Sequence, residues 1–164
     1  VHGFSLIELV VCLSVLAVLV GLSIPNVWRW QERARIDKVR QQLFYDLQLA
    51  RLHALQFGQS LQIRRLTGCA PMSASSSDWS CGWQTTTSSD SAGLMHVIRT
   101  TPLDATLQVS FAKSTNFFIS AQGDLGTIGD RWTFFSRNAR INLSRSLCIS
   151  SAGRIRTVEA ATCS

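Results

Sequence analysis

Gly3-Phe4-Ser5-Leu6-Ile7-Glu8-Leu9 opens an apolar run that continues to Ile24 and stops at Pro25. Among the twenty-one residues from Phe4 to Ile24, the only charged one is Glu8. At a rise of about 1.5 Å per residue, a helix of this length covers roughly 30 Å, the thickness of a bilayer's hydrocarbon core. An ordinary export signal has its charge ahead of the run and a small-residue cleavage site behind it. Here a glycine comes first, a carboxylate sits inside, and no Ala-x-Ala site comes after. A carboxylate in hydrocarbon costs roughly 2.5–3.5 kcal/mol, so Glu8 is expected to have a partner and a purpose.

Beyond the run lie about 140 of the 164 residues, enough for one domain of ordinary size. An apolar content of 46% with 16% charged residues excludes a disordered chain. The net charge of +6 rests on sixteen basic residues, of which only Lys38 and Lys113 are lysine. Arginine grips phosphate or carboxylate through a bidentate fork, so this excess points to anionic partners, DNA or anionic lipid among them.

Past Pro25, where a kink or local melting is expected around Gly21–Pro25, the pattern becomes amphipathic. Ile36, Val39, Leu43, Leu47, Ala50 and Ala54 recur at three- and four-residue steps, against Arg33, Lys38, Gln41, Gln48 and Arg51. Gly58 is a natural C-cap. The period then falls to two, and strands are expected around Leu61–Ile63, near Trp83, and at Met95–Thr101, Leu107–Phe111 and Asn116–Ser120. Three more are expected at Trp132–Phe135, Ile141–Leu143 and Leu147–Ile149. The Ser/Thr-rich tract from Thr67 to Gly93 reads as a long loop around the Trp83 strand. The fold class is α+β: one long N-terminal helix packed on a β-rich head of antiparallel sheets.

Of the five cysteines, Cys12 lies in the apolar run, and Cys69, Cys81, Cys148 and Cys163 lie in the head. Four cysteines allow three connectivities, and the short loops favour Cys69–Cys81 and Cys148–Cys163, each worth about 2–4 kcal/mol. No CxxC is present, and His2, His53 and His96 are scattered, so neither a metal nor a cofactor is expected. GxSxG, HExxH and Walker sequences are absent too, and Asp104, Asp124 and Asp130 stand in turn contexts. Catalysis is not expected.

From Arg131 onward six arginines (131, 137, 140, 145, 154, 156) face one acid, Glu159. Gly153 can turn the chain between two short strands. In an extended segment Arg154 and Arg156 project to one side while Ile155 points to the core. Their guanidinium groups, about 7 Å apart at two-residue spacing, match successive phosphates of a nucleic-acid strand. The plainer alternative is a hairpin whose arginines face water or a neighbouring subunit's acids.

Gly3-Phe4-Ser5-Leu6-Ile7-Glu8-Leu9 resembles the class III signal of type IV pilins and type II secretion pseudopilins. The resemblance implies cleavage by a prepilin peptidase between Gly3 and Phe4, methylation of the new N-terminus, and pairing of Glu8 with a neighbour's N-terminal amine during assembly. Pro25 falls where that family has a helix-kinking proline. Leu43-Phe44-Tyr45-Asp46-Leu47-Gln48-Leu49-Ala50-Arg51, and Cys148 to Arg156, are similar to the opening and closing segments of the pseudopilin H and fimbrial T/U minor pilins. Gly153-Arg154-Ile155-Arg156 matches the GRxR motif that the fimbrial T branch associates with DNA binding in natural transformation.

The resemblance thus implies a leader remnant at 1–3, a transmembrane and assembly helix at 4–25, and a periplasmic head at 26–164 that includes the helix to about residue 57. It implies an inner-membrane protein that passes into an extracellular pilus and has other pilins as partners. Double-stranded DNA would be held without sequence preference by Arg154 and Arg156 with Gly153, helped by Arg137, Arg140, Arg145 and Lys113. Two alternatives stay open: a structural subunit that primes pilus assembly, and a type II secretion pseudopilin without DNA binding.

Overall fold

A computed structural model describes residues 5–70, 75–88, 93–103, 106–113, 116–125, 130–138, 141–150 and 152–163, with all their side chains except those of 22–26. The chain forms two compact units, Val1–Ala34 and Arg35–Ser164, and helix α1 (Leu6–Phe57) contributes to both. Gly3 and Phe4, the expected cleavage and methylation site, lie outside the described residues.

In the first unit the Ser5 carbonyl starts the helix by accepting from the Glu8 and Leu9 amides at 3.1 and 3.2 Å. Every side chain from Ser5 to Gly21 is exposed. A helix that is apolar on all sides needs an apolar environment, and this unit supplies none of its own. Among the described residues, no helix is long and apolar enough to cross a membrane. The expected span over 4–25 begins on Phe4, outside the described residues. The helix also continues unbroken through Gly21–Pro25, so the local melting expected there does not occur.

In the second unit α1 buries Ile36, Leu43, Leu47, Ala50 and Ala54 on the stripe its periodicity defines, with Val39 partly buried beside them. It ends at Gly58, whose φ of 61° is the left-handed conformation that a Cβ resists. The Gln59 amide reaches back to the Ala54 carbonyl at 3.2 Å, which closes a Schellman cap.

The described residues after α1 form eight strands: β1 Leu61–Arg65, β2 Gly82–Thr87, β3 Val97–Pro102, β4 Leu107–Phe111, β5 Asn116–Ile119, β6 Arg131–Ser136, β7 Ser144–Ile149 and β8 Ile155–Val158. They make two four-stranded antiparallel sheets, β3-β2-β1-β5 and β4-β6-β7-β8. The buried residues of α1 and both sheets make one hydrophobic cluster. Its centre is aromatic: Trp132 stacks on Phe111 with centroids 4.4 Å apart and meets Phe117 and Trp79 edge-on at 4.9 and 5.7 Å. Edge-to-face and offset contacts of this kind add to what area burial contributes.

One expectation is corrected. Ile141–Leu143 alternates like a strand but is a turn: the Ile141 amide donates to the Asn138 carbonyl at 2.9 Å, and the Leu143 amide to the Ile141 carbonyl at 3.0 Å. The segment returns β6 to β7, and its Leu143 carbonyl accepts from the Ser136 amide at the end of β6 at 3.1 Å. The tract before β2 is the long loop expected, and it is pinned to the head. Trp79 is fully buried, its amide donates to the Val109 carbonyl at 2.8 Å, and a Cys69–Cys81 disulfide closes the segment.

A buried carboxylate ties the helix to the first sheet. Asp46, only 1% exposed, accepts from Trp83 Nε1 at 2.8 Å and Thr101 Oγ1 at 2.7 Å through Oδ2. Its Oδ1 accepts from Gln42 Nε2 at 3.1 Å and pairs with Arg99 Nε at 2.9 Å. Strand β3 is otherwise an edge strand of exposed side chains.

Candidate nucleic-acid interface

Strands β7 and β8 are joined by the Ser150–Gly153 turn. The Gly153 amide donates to the Ser150 carbonyl at 2.9 Å, and the Ser150 amide to the Arg154 carbonyl at 3.0 Å. The Arg154 amide also donates to Ser150 Oγ at 3.2 Å. Gly153 has φ +69° with no atom within 4 Å of a built Cβ, so its backbone conformation, not space, calls for glycine. This is the three-residue hairpin in which a left-handed residue closes the turn. Ser151 lies outside the described residues.

The turn sets which way the side chains of β8 face. Ile155 packs against the core cluster, while Arg154 and Arg156 are exposed, as strand alternation requires. Arg156 donates from Nη2 to the Cys163 carbonyl at 2.9 Å, which orients its guanidinium along the C-terminal segment. A Cys148–Cys163 disulfide fixes that segment to β7, and Ser146 Oγ donates to the Ala160 carbonyl at 2.7 Å. Arg154 has no acidic partner among the described residues.

Sheet register then decides which other basic residues join the pair. Arg131 and Arg156 both lie opposite Cys148, so they share a face two strands apart, about 10 Å at ordinary strand spacing. The Ala112 amide donates to the Arg131 carbonyl at 2.9 Å, and this brings Lys113 to the same end of the sheet. Lys113 Nζ pairs there with Asp130 Oδ1 at 3.0 Å. One end of the second sheet thus collects Lys113, Arg131, Arg154 and Arg156. Arg131 stood in the arginine-rich third but was not among the expected contacts; only the pairing to Cys148 reveals its place.

Two of the expected contacts do not belong to this group. Arg145 is 8% exposed, with its guanidinium ion-paired to Glu159 and at 3.4 Å to Asp37 of α1, so it is not presented to a phosphate. Arg137 sits at the opposite end of β6, where Nε donates to the Leu107 carbonyl at 3.1 Å. Arg140 lies outside the described residues. Lys113 stands at the same end of the sheet as Arg154 and Arg156 and shares its charge with Asp130.

Beside the Lys113–Asp130 pair opens a cleft of about 400 Å³, lined by Phe111, Phe117, Phe118, Asn116, Ser60, Ile119, Ser120 and Asp124. Phe118 is 58% exposed there, unlike the other two phenylalanines. Asn116 also lines a second cleft of about 420 Å³, which holds Arg64 and Arg65. Among the described residues no group of histidine, cysteine, aspartate and glutamate could hold a metal ion.

Residues 1–24 match the prokaryotic N-terminal methylation motif, and residues 40–153 match the family described as Type II transport protein GspH. No curated protein matches at a significant level. The fold is similar to the type IV minor pilin FimU of Pseudomonas aeruginosa PAO1, with a TM-score of 0.58 and 21% identity over 80% of this chain and 93% of that one. It is also similar to the minor pseudopilin EpsH from the type 2 secretion system of Vibrio cholerae, with a TM-score of 0.57 and 13% identity over 76% of this chain and 97% of that one. With well over half of its length matched, and the methylation motif ahead of that match, the chain belongs to the Type II transport protein GspH family of minor pilins and pseudopilins.

Proposed function

We propose that this protein is a minor type IV pilin that binds extracellular double-stranded DNA through the β7–β8 turn and serves DNA uptake in natural transformation. The observation that carries the reading is the pair Arg154 and Arg156, exposed on an edge strand and set by a turn that their neighbour Gly153 makes. Arg131 and Lys113 extend the pair along the end of the sheet. With three to four phosphates neutralised, the binding of one head is weak, on the order of micromolar, and falls with salt. Among the described residues no helix is offered to a major groove by this end of the sheet, so contacts go to the backbone and carry little sequence information.

The N-terminal unit fits the same reading. Its exposed apolar side chains suit the inner membrane before assembly and the filament interior after it, with Phe4 as the processed N-terminus and Glu8 as the assembly carboxylate. A prepilin peptidase would make the cut after Gly3. The second reading, a type II secretion pseudopilin or a structural priming subunit, is favoured by the match to a type II transport family and by the likeness to EpsH. Anisotropy of a labelled duplex titrated with the full chain in detergent, wild type against Arg154→Gln/Arg156→Gln, separates the readings. The proposal expects at least a tenfold loss of affinity in a folded variant; equal affinity refutes it.

A further inference from the structure

We infer that the cleft beside the basic end takes an unpaired nucleobase, so that the protein holds frayed or single-stranded DNA by a contact that a closed duplex cannot make. The inference rests on the DNA-binding reading and deepens it. Three observations carry it. The cleft of about 400 Å³ lies within the range of small-ligand pockets, about 300–1,000 Å³. Of the phenylalanines that line it, Phe118 alone is exposed, although neighbouring β5 side chains are buried or half-buried. Its charged lining is Lys113 with Asp130 and Asp124, and Arg64 and Arg65 line the second cleft, which meets the first at Asn116.

An exposed aromatic face with cations near it is an arrangement that holds single strands, because every base has a face to stack and every nucleotide a phosphate to pair. A flat ring on Phe118 would leave its edge to the Asn116 amide, which both donates and accepts and so suits any base. The Lys113–Asp130 pair suits the same use. Asp130 is buried and holds the lysine at the mouth of the cleft, where a phosphate can share the ammonium without removing it from its partner. A closed duplex keeps its bases stacked inside and can use only the arginines.

The test uses the full chain in detergent and three labelled probes of equal length, about 12 nucleotides, within the site sizes of single-strand binders. The probes are oligo(dT), the same backbone with abasic sites, and a blunt duplex. The expected result is oligo(dT) binding at least about fivefold tighter than the abasic strand, the discrimination that stacking one base supplies. Phe118→Ala removes that discrimination without weakening the duplex, and Phe118→Trp restores it. Equal binding of oligo(dT) and the abasic strand overturns the inference while duplex binding upholds the reading beneath it. A discrimination that survives Phe118→Ala overturns it as well, and so does Phe118-dependent self-association in light scattering without base preference, which would assign the cleft to a second copy. Failure to bind any probe overturns both.

Discussion

Replacing Asp46 tests the physical account of the head most directly. In Asp46→Ala the Trp83 N–H and the Thr101 hydroxyl lose their common acceptor, Oδ2, and both are held inside or at the edge of the core. An orphaned buried donor costs about 1–3 kcal/mol, which puts the two together at about 2–6 kcal/mol. Arg99 adds little, since its side chain is 42% exposed and water can replace the carboxylate. Asp46→Asn is gentler. Its carbonyl can stay with Trp83 and Thr101, while the amide turns toward Gln42 and Arg99, which are themselves donors. That variant should cost about 1–2 kcal/mol. For a unit of this size each kcal/mol lowers the midpoint by roughly 3–5 °C, so alanine should cost about 6–30 °C and asparagine about 3–10 °C. Near-UV circular dichroism during heating, with the full chain in detergent, reads the head through Trp79, Trp83 and Trp132. If alanine unfolds within a degree of wild type, or if asparagine costs as much as alanine, the assignment of Asp46 as a hydrogen-bonded tie between helix and sheet is wrong.

Three further outcomes are expected. Gly153→Ala forces a Cβ into φ +69° and should destabilise by about 1–2 kcal/mol in thermal melts, because strain and not a clash is the cause; Gly153→Asn should recover part of the loss. Cys148→Ser/Cys163→Ser should cost about 2–4 kcal/mol in the same melts, and it should also weaken duplex binding, since Arg156 is oriented by the Cys163 carbonyl. In a salt series, Arg154→Gln/Arg156→Gln should make the slope of log K against log salt shallower by about 1.8, the share of two phosphate contacts on a duplex; an unchanged slope would place the contacts elsewhere.

Much of the fold can be read along the chain because its causes are local. The three- and four-residue spacing of Ile36, Leu43, Leu47 and Ala54 defines the buried stripe of α1, and Gly58 ends the helix with the one backbone conformation glycine favours. Alternation finds β4 residue for residue, and the short separations of Cys69–Cys81 and Cys148–Cys163 favour the pairing that the structure has. Alternation also misleads at Ile141–Leu143. Three residues are too few to distinguish a strand from a return between strands, and that difference lies in the partner.

The arginines mark the boundary most clearly. Composition by itself shows a basic, arginine-led C-terminal third, and two-residue spacing puts Arg154 and Arg156 on one side with Ile155 inward. Both features come from backbone geometry within a few residues. Which other cations stand with them depends on pairing between distant segments. Arg145 is neutralised by Asp37, over a hundred positions earlier, and by the returning C-terminal segment, whereas Arg131 joins Arg156 because both lie across from Cys148. The apolar opening run behaves in the opposite way: its methylation motif is legible without any fold, because its features all lie within one stretch of chain. A covalent signal or a periodicity is written in neighbouring residues. A charged surface is what remains after tertiary contacts have neutralised the rest, so only the folded chain could decide it.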